Sequence, residues 1–176
     1  MAFFKTGGTN PDFTKLAKGT RDYRLAPLAR REAYLDKEKQ RLIKQYAAYD
    51  ANSSMLRVIT YPMVDLVATP QKDADPIYSM KISFNQNNDV LFFPYQYQDY
   101  NIALLPQQLN ELLQQPIPEL QYNLLKAAFD DKLQGRVRLY IELKPVKAYM
   151  DQPYDIGGKE QWALLSNVAG LAMTSQ

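Results

Sequence analysis

Between Pro27 and Tyr49 apolar residues recur at helical spacing. At about 100° per residue, Leu28, Leu35, Leu42, Tyr46 and Tyr49 fall in one narrow sector. Arg30, Lys37, Arg41 and Lys44 gather on the opposite side, with Tyr34 beside them. This predicts an amphipathic helix over Pro27–Tyr49 with a thin apolar seam and a basic ridge, opened by a proline in its first turn and stopped by Asp50–Ser54. The seven-residue leucine spacing resembles a coiled coil. However, Arg31 or Glu32 and Glu38 or Lys39 occupy the intervening positions that a heptad makes apolar, so the pattern points to one helix lying across a sheet or a neighbour. Upstream, Asn10-Pro11-Asp12 before Phe13, Leu16 and Ala17, closed by Gly19, predicts a short helix with Asn as cap and Pro at its first position.

After residue 54 the period falls to two. Met55–Ala68 predicts a strand broken or edged at Pro62, and Thr69–Pro76 a polar loop. Tyr78, Met80, Ile82 and Phe84 alternate with Ser79, Lys81 and Ser83 as a half-buried strand does. Asn85–Asp89 is a turn of residues that tolerate left-handed geometry, after which Val90–Tyr97 should return antiparallel. Tyr100, Ile102 and Leu104 add a further strand.

From Pro106 to Leu133 the pattern is helical in two pieces, divided at Gln115-Pro116-Ile117-Pro118 because a residue before proline resists the α conformation, and ended at Gly135. Val137, Leu139, Ile141 and Leu143 alternate with polar neighbours in the clearest strand of the chain. Met150–Lys159 reads as a loop and Trp162–Met173 as a last strand. Helix, strands, helices, strands imply an α+β fold with an N-terminal amphipathic helix, a mainly antiparallel sheet and a helical insertion between the strands. The expected organisation is an N-terminal arm over residues 1–26, extended or partly disordered, and a single α+β domain over residues 27–176.

Composition then narrows the chemistry. The 176 residues contain no histidine and no cysteine, so Ser-His-Asp and Cys-His triads, zinc sites and thiol chemistry cannot be built from this chain. No cofactor or metal is expected. The apolar fraction of 46% is ordinary for a globular chain, and no stretch has the run of apolar residues that a membrane span needs. The expected compartment is the cytoplasm if Met1 is the native start, with a removed leader left open otherwise.

The net charge of +2 is unevenly spread. Residues 1–50 carry eleven Lys or Arg against six Asp or Glu, whereas residues 51–176 carry ten against thirteen. A basic front of this kind meets something negative: nucleic acid, an anionic surface or an acidic protein, including a second copy.

Three groups of side chains stand out as candidates. The ridge of Arg30, Lys37, Arg41 and Lys44 could neutralise phosphates, although a solvated helix face explains the same charges. In Phe92–Tyr100, Phe93, Tyr95, Tyr97 and Tyr100 are interleaved with amides, a pattern that can stack on a ligand or simply pack one face of a strand. The carboxylates Asp73, Asp75, Asp130, Asp131, Asp151, Asp155 and Glu142 leave acid–base hydrolysis open, but adjacent acids on a helix diverge, and a glycosidase needs two across a cleft. Asp73-Ala-Asp75 lacks the ligand and glycine that a calcium loop requires next.

Taken together, these features imply a structural or protein-interaction module, more an accessory subunit of a larger assembly than an enzyme, with a protein partner or a second copy as its contact. The alternatives are a ligand-binding domain that uses the aromatic segment 92–100 for a glycan or apolar molecule, and a carboxylate-dependent hydrolase.

Overall fold

The computed structural model of the protein describes residues 1–86, 90–97 and 99–175. In chain order the elements are α1 (Ala2–Thr6), α2 (Phe13–Gly19), α3 (Arg21–Leu25), α4 (Arg31–Ala48), β1 (Leu56–Thr60), β2 (Met63–Gln71), β3 (Ala74–Ser83), β4 (Phe93–Tyr97), β5 (Tyr100–Gln107), α5 (Leu109–Leu112), β6 (Gln114–Pro116), α6 (Glu119–Ala128), β7 (Gln134–Ala148), β8 (Tyr154–Asp155) and β9 (Glu160–Ser175). The described residues thus mix six α-helices with nine strands, and every pairing whose register is described is antiparallel. They fall into two compact units, Met1–Met55 with Phe92–Leu105 and Lys144–Ser166, and Leu56–Leu91 with Pro106–Leu143 and Asn167–Gln176. No helix among the described residues is long and apolar enough to cross a membrane.

In the first unit, residues 1–26 are not an extended arm. They form three short helices that bury Phe3, Phe4, Leu16 and Ala17. A one-turn helix can bury two consecutive phenylalanines only when it is enclosed by neighbours. Here the Phe3 ring meets Trp162 at 6.1 Å and the Phe4 ring meets Tyr100 at 5.2 Å, both edge-on as aromatic quadrupoles prefer. Helix α2 begins two residues later than the sequence suggests. Asp12, not Asn10, caps it, with its carboxylate accepting from the backbone N–H of Thr14 and Lys15 at 3.0 Å each.

Helix α4 buries Leu42 and half-buries Leu35 and Tyr46, and Tyr49 just past its end is half-buried too, but the seam does not reach Leu28, which is 79% exposed. Leu28 lies in a 3-10 turn, Leu28–Arg30, that follows Pro27 in extended geometry. At three residues per turn the helical phase is lost before α4 starts. The heptad gap is filled instead by Glu38 itself, whose buried carboxylate pairs with the half-exposed Arg41. Strand β4 pairs with β5, Phe93 opposite Leu104 and Tyr97 opposite Tyr100, rather than returning against β3. The expected turn at Asn85–Asp89 lies partly outside the described residues.

In the second unit, β2 pairs with β3, β3 with β6, and β7 with both β1 and β2. The alternation read from the sequence of β7 sends Val137, Leu139, Ile141 and Leu143 into the core at no more than 1% exposure. Pro62 separates β1 from β2, and its carbonyl accepts from the Val137 N–H at 3.2 Å.

Residues 69–76 are not a loop. Strands β2 and β3 continue as a ribbon to a two-residue turn at Lys72-Asp73, where Asp73 adopts φ 63°. A shift of register between Thr69 and Gln71 absorbs Pro70, which cannot donate to the ladder. Helix α6 stops at Ala128, followed by Asp130 and Asp131 at φ 55° and 61°, well before Gly135. Gly135 belongs to β7 and is required for space: a Cβ there would come within 2.1 Å of the Phe129 ring.

Candidate interaction site

The basic ridge and the aromatic strand, separate in sequence, both belong to the first unit. Arg30, Lys37 and Lys44 are exposed. Arg41 is committed to Glu38, whose carboxylate is nearly buried. Its guanidinium donates to both oxygens at 2.7–3.1 Å, and these bonds hold its pKa above the ordinary arginine value. Arg41 also acts electrostatically on Tyr97, whose phenol pKa is pushed up first by burial and then by Tyr95. The ridge therefore presents three solvated cations and one neutralised cation.

The aromatic candidates divide in the same way. Phe93 is buried, so it packs the strand rather than offering a surface. Tyr95 is 49% exposed, and Tyr97 and Tyr100 are half-buried. Tyr100 is held between Phe4 and Trp162, with the Lys15 ammonium 5.3 Å from its ring centroid. Gln98 lies outside the described residues.

The acidic candidates are spread over several elements, with Asp155 in β8. Asp151 accepts from the Tyr154 hydroxyl at 2.9 Å, which lowers the carboxyl pKa and raises that of the phenol. Glu142 pairs with Arg57 at 2.9 Å beside an open groove of about 290 Å³ that also meets Tyr140 and Gly170. Asp73 sits at the ribbon turn and Asp75 just beyond it, while Asp130 and Asp131 follow the end of α6. Among the described residues no three His, Cys, Asp or Glu side chains gather closely enough to hold a metal ion.

Two features were not singled out in the sequence. The first is an exposed apolar surface on the second unit. Leu120 and Leu124, one turn apart on α6, are 72% and 63% exposed, and the whole ribbon segment 67–77 is exposed. Helix α6 is anchored on its opposite side, where Tyr122 lies 4.6 Å from Tyr78 and the Tyr78 hydroxyl donates to Glu119 at 3.3 Å. The leucine spacing 120–124 is visible in the sequence, but which side of the helix faces the sheet is decided by Tyr122 and Phe129.

The second feature is an open cleft of about 380 Å³ in the first unit, lined by Lys15, Lys18 and Arg24 together with Asp12 and Asp99. Asp12 is already occupied in capping α2, and Asp99 pairs with Lys15 at 3.7 Å. Neither Lys18 nor Arg24 has an ion-pair partner among the described residues. Next to the cleft in the chain, Leu25 is 70% exposed and Leu28 more so. The chain matches no protein-family model, no curated protein and no solved structure.

Proposed function

We propose that the protein is a non-catalytic interaction module, an accessory subunit of a larger assembly, and that its second unit carries the assembly surface. The observation that supports this reading most directly is the ribbon formed by the outer parts of β2 and β3, exposed throughout residues 67–77. Two strands alone are marginally stable in water, so a ribbon of this length gains from being covered. Val67 and Ile77 stand about half exposed on it, and Leu120 and Leu124 add apolar area on the helix that packs against its base. The occupant is a protein surface, supplied by a partner or by a second copy.

Light scattering after size exclusion, on the pure chain and on the same chain in an extract of its source cells, tests this. The reading expects a particle larger than the 20.3 kDa monomer in at least one of the two, and its reversion to monomer in the Leu120→Asp/Leu124→Asp variant. Migration as a monomer in both would end it.

A further inference from the structure

We propose that the elbow between α3 and α4 is a docking site for an anionic phospholipid surface, with Leu25 and Leu28 entering the headgroup–acyl boundary and the Lys18/Arg24 cleft receiving a lipid phosphate. Residues 18–31 hold five Lys or Arg against one Asp. Arg21, Arg24 and Leu25 stand at i, i+3 and i+4 of α3 and therefore share one side of it, and all three are exposed. Leu28 and Arg30 follow directly, also exposed, beyond the turn at Ala26-Pro27.

The elbow is firmly set beneath these residues. Ala26 is buried, its carbonyl accepts from the Arg31 Nε at 3.4 Å, and the Arg31 guanidinium lies 5.8 Å from the Tyr23 ring centroid. Arg31 is thus turned back as a support, while Arg21, Arg24 and Arg30 remain outward.

Among the exposed large apolar residues of the first unit, Leu25 and Leu28 are the two most accessible. A nucleic acid would use the arginines but has little to gain from paired leucines beside them. A membrane interface uses both, because apolar insertion and attraction to anionic headgroups add. Arg24 joins the two functions: it lines the cleft and directly precedes Leu25. The cleft's two carboxylates are committed to the α2 cap and to Lys15, which leaves Lys18 and Arg24 as donors for a phosphodiester.

This surface belongs to the first unit and shares no residue with the assembly surface proposed for the second, so either can fail without the other. The test is co-sedimentation of the full chain with vesicles of phosphatidylcholine alone and of phosphatidylcholine with phosphatidylglycerol. Binding is expected to the anionic vesicles, to weaken with salt, and to fall at least about tenfold in both Leu25→Ser/Leu28→Ser and Lys18→Ala/Arg24→Ala. These side chains are exposed, so the variants should keep the wild-type circular dichroism and melting temperature. The proposal is overturned if the chain stays in the supernatant with anionic vesicles or binds the neutral ones equally well. It is overturned too if the leucine variant binds as tightly as wild type, the result expected of a purely electrostatic site for nucleic acid.

Discussion

The carboxylate of Glu38, nearly buried in α4, is gripped by the Arg41 guanidinium three residues on, through two nitrogens at 2.7–3.1 Å. A buried charge is tolerated when it is paired and hydrogen-bonded, and becomes a liability when its partner is removed. Arg41→Ala should therefore cost about 1–3 kcal/mol, short of a fully buried pair because the arginine is half exposed and water can reach the vacated side. Replacing both partners, as Glu38→Leu/Arg41→Leu, should recover most of that loss. Urea unfolding of Glu38→Leu, Arg41→Leu and the double variant checks the coupling, and simple additivity would show that the pair does not act as a unit.

The N-terminal helices should behave as core. Phe4→Ala should lower stability by roughly 3–5 kcal/mol and Leu16→Ala by roughly 2–5 kcal/mol, the range for truncating a buried side chain. A detachable arm would show neither effect. Denaturant midpoints of the full-length variants decide between the two.

Two glycines give a paired comparison. A Cβ at Gly135 would strike the rigid Phe129 ring at 2.1 Å, whereas one at Gly7 would meet mainly the flexible Met150 side chain, its Cγ at 2.5 Å and Sδ at 2.9 Å. Gly135→Ala should cost at least about 1–3 kcal/mol through overpacking, and Gly7→Ala distinctly less because the methionine can swing aside. Thermal unfolding of both variants measures the difference.

Two exposed carboxylates set an acid-side dependence. The Asp50 pKa is lowered chiefly by the Ser53 hydroxyl and then by the Asn52 N–H, and that of Asp151 by the Tyr154 hydroxyl. A depressed folded-state pKa means stability that is present above the ordinary Asp value, near about 4, and lost as pH falls through the folded pKa. Melting temperatures taken downward from neutral pH should show a shallower acid limb in Asp50→Asn/Asp151→Asn than in wild type. Parallel limbs would count against both bonds.

The local, periodic parts of this fold were legible in the sequence, and the parts decided by distant partners were not. Strand β7 declared itself because both its faces have distinct fates, so the period of two is fully expressed from Val137 to Leu143. The ribbon was hidden because Pro70 and Pro76 read as loop residues, and only the register shift shows how the pairing passes Pro70. Helix α1 carried no period at all, being a single turn whose Phe3 and Phe4 are buried by Trp162 and Tyr100 from far along the chain. For the candidate sites, charge and aromaticity were visible, but the removal of Arg41 from the ridge by Glu38 and the burial of Phe93 were not. The exposed leucines at 25 and 28 were masked by the helical phase that assigned Leu28 to the seam, which the 3-10 turn interrupts.

The prolines of the ribbon have a further effect. Naked strand margins invite like chains to add one after another, and natural sheets discourage this with residues that cannot donate. Pro70 and Pro76 withdraw N–H groups from the outer half of the ribbon, and the register shift between Thr69 and Gln71 bends its course. Open-ended stacking of backbone on backbone is thereby disfavoured, so a partner of the kind proposed for this projection would recognise it through side chains rather than by adding a strand.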